Sequence, residues 1–205
     1  QRRDMGNKKK EKNIMDKEQK TMNILILTVP FVEQNYFSKE KHAEYIITMI
    51  KEIQKVPNTS ITFKLHPVEK NLKEYQKIID SQQFENVKVV QQIGASYLYQ
   101  LMDANDIIIS FGSTVVYESL ILNKPIIIMI NDTFNNSFNL LIHESKATIE
   151  LAELKELPSS INQIISDKKL QLKIHQNGIA FTQKMCGTID GKAAERVVEI
   201  IKKMI

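Results

Sequence analysis

Cysteine occurs once in these 205 residues, at Cys186, so no disulfide can form within the chain and a reducing compartment suits it. No stretch approaches the roughly 20 apolar residues of a membrane span. The start carries no succession of basic, apolar and cleavage regions, which excludes a secretory signal there. The chain therefore reads as soluble and cytoplasmic. There is no Asp-x-Asp motif and no cluster of histidines and cysteines; Asp103, Asp106 and Asp132 are scattered, so a metal finds no ligand set. Internal repeats are absent too. The first residue is Gln1 rather than methionine, as expected of a processed product or a piece of a longer polypeptide.

Of the features that are present, charge comes first. The 28 basic and 24 acidic residues leave a net charge of +4. Arg2, Arg3, Lys8, Lys9, Lys10, Lys12, Lys17 and Lys20 crowd the first twenty positions. Such a run can meet nucleic acid or anionic lipid, but no aromatics are interleaved with it and no nucleic-acid module follows. Residues 1–21 are expected to be a solvated leader or linker, with peripheral attachment to the inner face of a membrane as its other use. Residues 22–205 are expected to form one folded domain, and 42% apolar content supplies its core.

A strand-then-helix rhythm runs through that domain. Apolar, β-branched runs at 22–31, 60–67, 86–91, 107–110, 124–130 and 147–151 read as strands. Helical periodicity occupies 41–55, 71–82, 96–104 and a stretch opened by Gly112-Ser113-Thr114. Ala43, Ile46, Ile47, Ile50 and Ile53 face inward in the first helix, Leu72, Tyr75, Ile78 and Ile79 in the second, and Ser96 caps the third. Three helices, 159–167, 169–185 and 191–205, close the chain. Short apolar strands alternating with helices predict an α/β domain with a parallel sheet of about six strands covered on both faces.

In such a sheet, ligands bind where strand-to-helix loops gather at the carboxyl ends of the strands. The fourth strand ends there as Ser110-Phe111-Gly112-Ser113-Thr114. A helix start offers unpaired N–H groups and about half a positive charge, which suits a phosphate. Gly112 would let the phosphate approach, Ser113 and Thr114 would cap the helix or bond phosphate oxygens, and Glu118 would accept from a ribose. The plainer reading makes the glycine a turn, the serine a cap and the glutamate a solvated side chain. Val at Gly112 is expected to weaken phosphate binding far more than folding. The second strand carries Lys64 and His66 on one face and ends at Pro67; a histidine there can donate to a phosphate or a leaving-group oxygen. His42 and His175 read as surface or boundary residues, whereas His143, Phe134 and Phe138 lie close enough in sequence to reach the same crevice.

Taken together, "FKLHPVEKN", "LMDANDIIISFGSTVVYESLILNKPIIIM" and "DGKAAERVVEIIKKMI" resemble the C-terminal, nucleotide-sugar-binding half of GT-B glycosyltransferases and the related nucleotide-sugar 2-epimerases. The His-Pro strand end and the "ISFGSTVVYE" block are most similar to polysialyltransferase-like, sialyl and Kdo transferases using CMP-sugars, and to CDP-glycerol glycerophosphotransferases. The resemblance covers residues 22–205 and implies a Rossmann-like three-layer domain. It implies that Gly112, Ser113 and Thr114, with Ser110, bind donor phosphates and that Glu118 holds the ribose. Lys64, His66 and Pro67 would complete the nucleotide site, with His66 assisting leaving-group departure. No cofactor or metal is implied. The donor is a CMP-, CDP- or UDP-linked group, and the partner is an N-terminal acceptor-binding domain or chain that supplies the base. The turn "FGST" departs from the Ser-Gly-Gly type of an epimerase, which stays the alternative beside a non-catalytic module on the same fold.

Overall fold

The computed structural model describes residues 20–91, 94–130 and 137–204, with no side-chain description for 137–140. Each predicted strand forms, and all but the fourth are shorter than their apolar runs. The first, β1 (Met22–Leu27), stops before the Pro30 turn. Helix α1 (Lys39–Ile53) opens on Ser38, whose hydroxyl accepts from the N–H of Lys41. There follow β2 (Thr59–Lys64), α2 (Leu72–Ser81), β3 (Val87–Val90), α3 (Ala95–Ala104) and β4 (Ile107–Ser110). The second half comprises α4 (Val115–Ile121), β5 (Ile126–Met129), α5 (Ser137–Ser145), β6 (Ile149–Leu151), a 3-10 turn at Leu154–Glu156, α6 (Leu157–Ser166), α7 (Lys168–Cys186) and α8 (Ala193–Met204).

All six strands run parallel, in the order β3-β2-β1-β4-β5-β6. The apolar runs are continuous because both faces are covered. Ile24 and Ile26 pack with Ile46, Met49, Ile50 and Leu157 on one face. Leu25 and Leu27 pack with Met102 on the other. In α4 the adjacent Val115 and Val116 are poor helix formers, each less favourable than alanine by roughly 0.5 kcal/mol. Burial of Val116 and Leu120, worth about 1.5–3 kcal/mol each, outweighs that cost.

Three expectations need correction. Ser96 does not cap α3; Gly94 holds that position, at a φ of 132°, without a side-chain bond. His42 is buried, not a surface residue, because α1 turns it toward Tyr75 of α2 (Nε2 to hydroxyl, 3.2 Å). Leu72, at the first turn of α2, is exposed while Tyr75 and Ile79 are buried. Residues 1–19 of the basic leader lie outside the described residues; Lys20 bonds to Asp106 at 2.9 Å. The last helix, α8, has a strongly one-sided pattern yet buries none of its residues: Val197, Ile200, Ile201 and Met204 are all exposed. Among the described residues no helix is long and apolar enough to cross a membrane.

Candidate functional site

The strand order reverses at β1, whose neighbours are β2 on one side and β4 on the other. A crevice opens at the carboxyl ends of the strands at such a reversal. The register puts Lys64, Leu27 and Ser110 in one row across the three strands. At a strand spacing of about 4.8 Å, the α-carbons of Lys64 and Ser110 are about 10 Å apart. The two predicted segments, 64–67 and 110–114, therefore flank the end of β1, where Thr28 follows Leu27.

On the β4 side, Ser110 is buried and its hydroxyl has no partner among the described residues. Phe111 turns into the core, edge-on to Phe31 with ring centroids 4.9 Å apart. Gly112 adopts a φ of 80°, a region a β-branched residue enters only with strain. The turn itself thus favours glycine, so valine here strains the backbone in addition to any effect on a bound phosphate. Gly112→Val should cost about 2 kcal/mol of stability and lower the melting temperature by roughly 4–8 °C in a thermal scan. A melting temperature equal to the unsubstituted chain would contradict this backbone assignment.

The start of α4 also differs from expectation. Its first N–H groups are taken locally: Val115 donates to the Ser113 hydroxyl (3.3 Å), Val116 to the Ser113 carbonyl (3.1 Å) and Tyr117 to the Thr114 carbonyl (3.0 Å). Thr114 stands at the cap position, exposed, without a side-chain bond. The amides of Gly112, Ser113 and Thr114 have no acceptor among the described residues. Three successive N–H groups through a positive-φ glycine can form an anion-binding concavity. Glu118, half-buried in α4, has no side-chain partner among the described residues.

On the β2 side the strand ends at Lys64, so the alternation that placed Lys64 and His66 on one face does not reach His66. Lys64 is buried and its ammonium donates to the Leu65 carbonyl at 2.6 Å. Burial holds it below the usual lysine range, with Glu69 opposing. His66, Pro67, Val68 and Glu69 form a β-turn closed by the Glu69 N–H on the His66 carbonyl (3.0 Å). Pro67 occupies the second position, which its fixed φ suits. It makes the turn rather than ending the strand. The His66 Nδ1 accepts from the Val68 N–H at 3.3 Å, which leaves the ring proton on Nε2. Burial, then the charge of Lys64, lowers the imidazole below its ordinary range, with Glu33 opposing, which favours the neutral ring.

Sequence reasoning missed Glu69. It is buried, and its Oε2 accepts from the His66 N–H (2.6 Å) and from the Thr28 hydroxyl; Oε1 lies 3.5 Å from the Tyr75 hydroxyl. Burial pushes its carboxyl up to about 7, against the pull of those hydrogen bonds. Proline after His66 signals a turn, and a glutamate at its fourth corner could have been noted. Its burial could not, because it depends on Thr28, Tyr75 and His42 arriving from three other elements. His143 pairs with Glu150 of β6. His175 is exposed on α7. Phe134 and the Phe138 side chain lie outside the described residues. No group of three or more histidines, cysteines or carboxylates that could hold a metal occurs among the described residues.

Residues 27–203 match the family model described as CDP-Glycerol:Poly(glycerophosphate) glycerophosphotransferase. No curated protein matches the chain in sequence. Among solved structures it is similar to the C-terminal CMP-Kdo binding domain of WaaA from Acinetobacter baumannii, with a TM-score of 0.60 and 9% identity over 80% of this chain and 91% of that one. It is also similar to MnaA of S. aureus in a co-structure with UDP (0.61, 19%, 93% of this chain and 48% of that). UDP-GlcNAc 2-epimerase from Neisseria meningitidis bound to UDP-GlcNAc is a third (0.58, 21%, 89% and 45%). At these identities the likeness is one of fold, the fold of half a GT-B enzyme. The chain spans about half the length of the last two.

Proposed function

Because the chain belongs to the CDP-glycerol:poly(glycerophosphate) glycerophosphotransferase family, which its match over residues 27–203 establishes, we propose that it is the donor-binding half of a transferase acting in surface-polysaccharide or glycoconjugate synthesis. Its donor is a nucleotide-activated group, CDP-linked first and CMP- or UDP-linked otherwise. The observation that carries this reading is the run of three amides, Gly112 to Thr114, without acceptors among the described residues at the strand-order reversal. Phosphate oxygens satisfy such amides, and Ser110 at the end of β4 and Ser113 on the turn add hydroxyls.

Transfer of glycerophosphate from CDP-glycerol leaves CMP, so negative charge grows on a CMP phosphate oxygen. His66, neutral with its proton on Nε2, donates a hydrogen bond to that oxygen, and the amides of the 112–114 turn stabilise the remaining charge. Pro67 fixes the turn that carries the ring, Lys64 contributes positive charge behind it, and Glu118 accepts from the ribose. The acceptor and the base that activates it come from an N-terminal domain or partner chain. Calorimetric titration with CMP, CDP and UDP tests the reading. Binding of a cytidine nucleotide in the micromolar to millimolar range is expected; no heat from any of the three at millimolar concentration sinks it. The epimerase neighbours share the fold alone, and incubation with UDP-N-acetylglucosamine is expected to yield no 2-epimer.

A further inference from the structure

Glu69 is the most deeply buried acid among the described residues, yet nothing in the donor reading uses it. Its surroundings are specific. Thr28 at the end of β1 and the His66 N–H both reach Oε2, and the same N–H also lies 3.1 Å from the Thr28 hydroxyl oxygen; the Tyr75 hydroxyl from α2 faces Oε1 and is itself joined to His42 of α1. Gln91, beyond β3, donates to the Glu69 carbonyl. Lys64, Glu33 and, acting on His42, Glu74 are the other charges close enough to act on the carboxyl or on the groups around it. The loop that carries His66 is thus tied at its first residue to a side chain anchored in three structural elements.

We propose that Glu69 is a positioning residue: its carboxylate holds the His66 amide and the Thr28 hydroxyl, and so aims the Nε2–H of His66 into the crevice. The donor half of this inference rests on the reading given under Proposed function; the hydrogen-bond half does not. The carboxyl can exist in two satisfied forms. Ionised, it accepts from Thr28. Protonated, it donates to the Thr28 oxygen, and the Thr28 hydroxyl turns to the Lys64 carbonyl 3.3 Å away. His66 keeps its amide bond in both, but to a neutral oxygen in the second, a weaker acceptor.

The test is nuclear magnetic resonance on the 15N-labelled full chain between pH 5 and 9, joined to CDP calorimetry at each pH. In the unsubstituted chain the His66 amide should lie downfield and move as Glu69 titrates, while the ring nitrogens report the Nε2–H form. Glu69→Gln should abolish that movement and weaken CDP binding about tenfold, with the same circular dichroism spectrum. Thr28→Val, which keeps the side-chain volume and removes the hydroxyl, should shift the Glu69-linked midpoint of the His66 amide and weaken CDP binding in the same direction. Folded Glu69→Gln with an unchanged His66 amide profile and unchanged CDP affinity overturns the proposal. So does an unaltered Glu69-linked midpoint with unaltered affinity in Thr28→Val if the glutamine variant fails to fold. Absence of CDP binding by the unsubstituted chain overturns the donor reading instead, and the amide and ring signals then decide the role of Glu69 alone.

Discussion

His66→Ala should weaken CDP binding about tenfold to a hundredfold, the loss of about 1.5–3 kcal/mol expected when a hydrogen bond to a charged phosphate oxygen disappears. Alanine also removes the ring nitrogen that accepts from Val68, so a loosened turn could produce the same loss. His66→Asn separates the two. An asparagine oxygen at the first corner of a turn accepts from the N–H two residues on, and the closing bond from Glu69 to the residue-66 carbonyl uses only backbone. The turn survives, but the shorter side chain does not reach where Nε2 sat. Asparagine should therefore bind CDP as poorly as alanine while melting within a degree or two of the unsubstituted chain. Calorimetry and a thermal scan on the same samples decide it: an asparagine variant with full affinity removes His66 from the donor contact.

The pH dependence of stability should carry the signature of Glu69. Its carboxyl is raised in the fold from an ordinary 4.5 to about 7, chiefly by burial. A raised carboxyl favours the folded state most fully below pH 4.5, and that contribution is lost as pH rises through 7. The difference of about 2.5 pH units corresponds to about 3 kcal/mol. Two histidines act in the opposite sense: burial lowers His42 and His66, so their contribution is present above pH 6.5 and falls away in acid. The comparison that isolates Glu69 is therefore its glutamine variant against the unsubstituted chain at several pH values. The stability of Glu69→Gln relative to the unsubstituted chain should rise by about 3 kcal/mol between pH 4 and pH 8, measured by urea unfolding. A difference that stays flat over that range would mean the carboxyl titrates in the fold as it does in water.

Much of the fold was legible because both faces of the sheet are covered. Ile107 to Ile109 and Ile126 to Ile128 are all buried, and uninterrupted apolar runs between helical patterns mark such strands directly. Strand ends were less legible. The run to Pro67 read as a single strand, but regular strand structure stops at Lys64 and a β-turn braced by the Glu69 side chain takes over. The burial of His42 escaped notice for a related reason: helical spacing puts it on the inward face with Ile46 and Met49, and only the tyrosine hydroxyl opposite makes a polar ring tolerable there. The Gly112 turn was legible as a place and not as a mechanism. The residues suggested a helix start holding an anion; the amides without acceptors among the described residues belong to the turn before it.

The C-terminal helix α8 carries a consequence for how the molecule opens. Twelve residues are too few for a helix to be more than marginal in water by itself. Since none of them is buried, unravelling α8 breaks no core contact and costs far less than global unfolding. Its amides can exchange with solvent through local fraying while those of β1 and β4, enclosed by helices on both faces, exchange only when the whole sheet comes apart. The last turn-and-helix segment can thus lose its order while the crevice beside the end of β1 keeps its own.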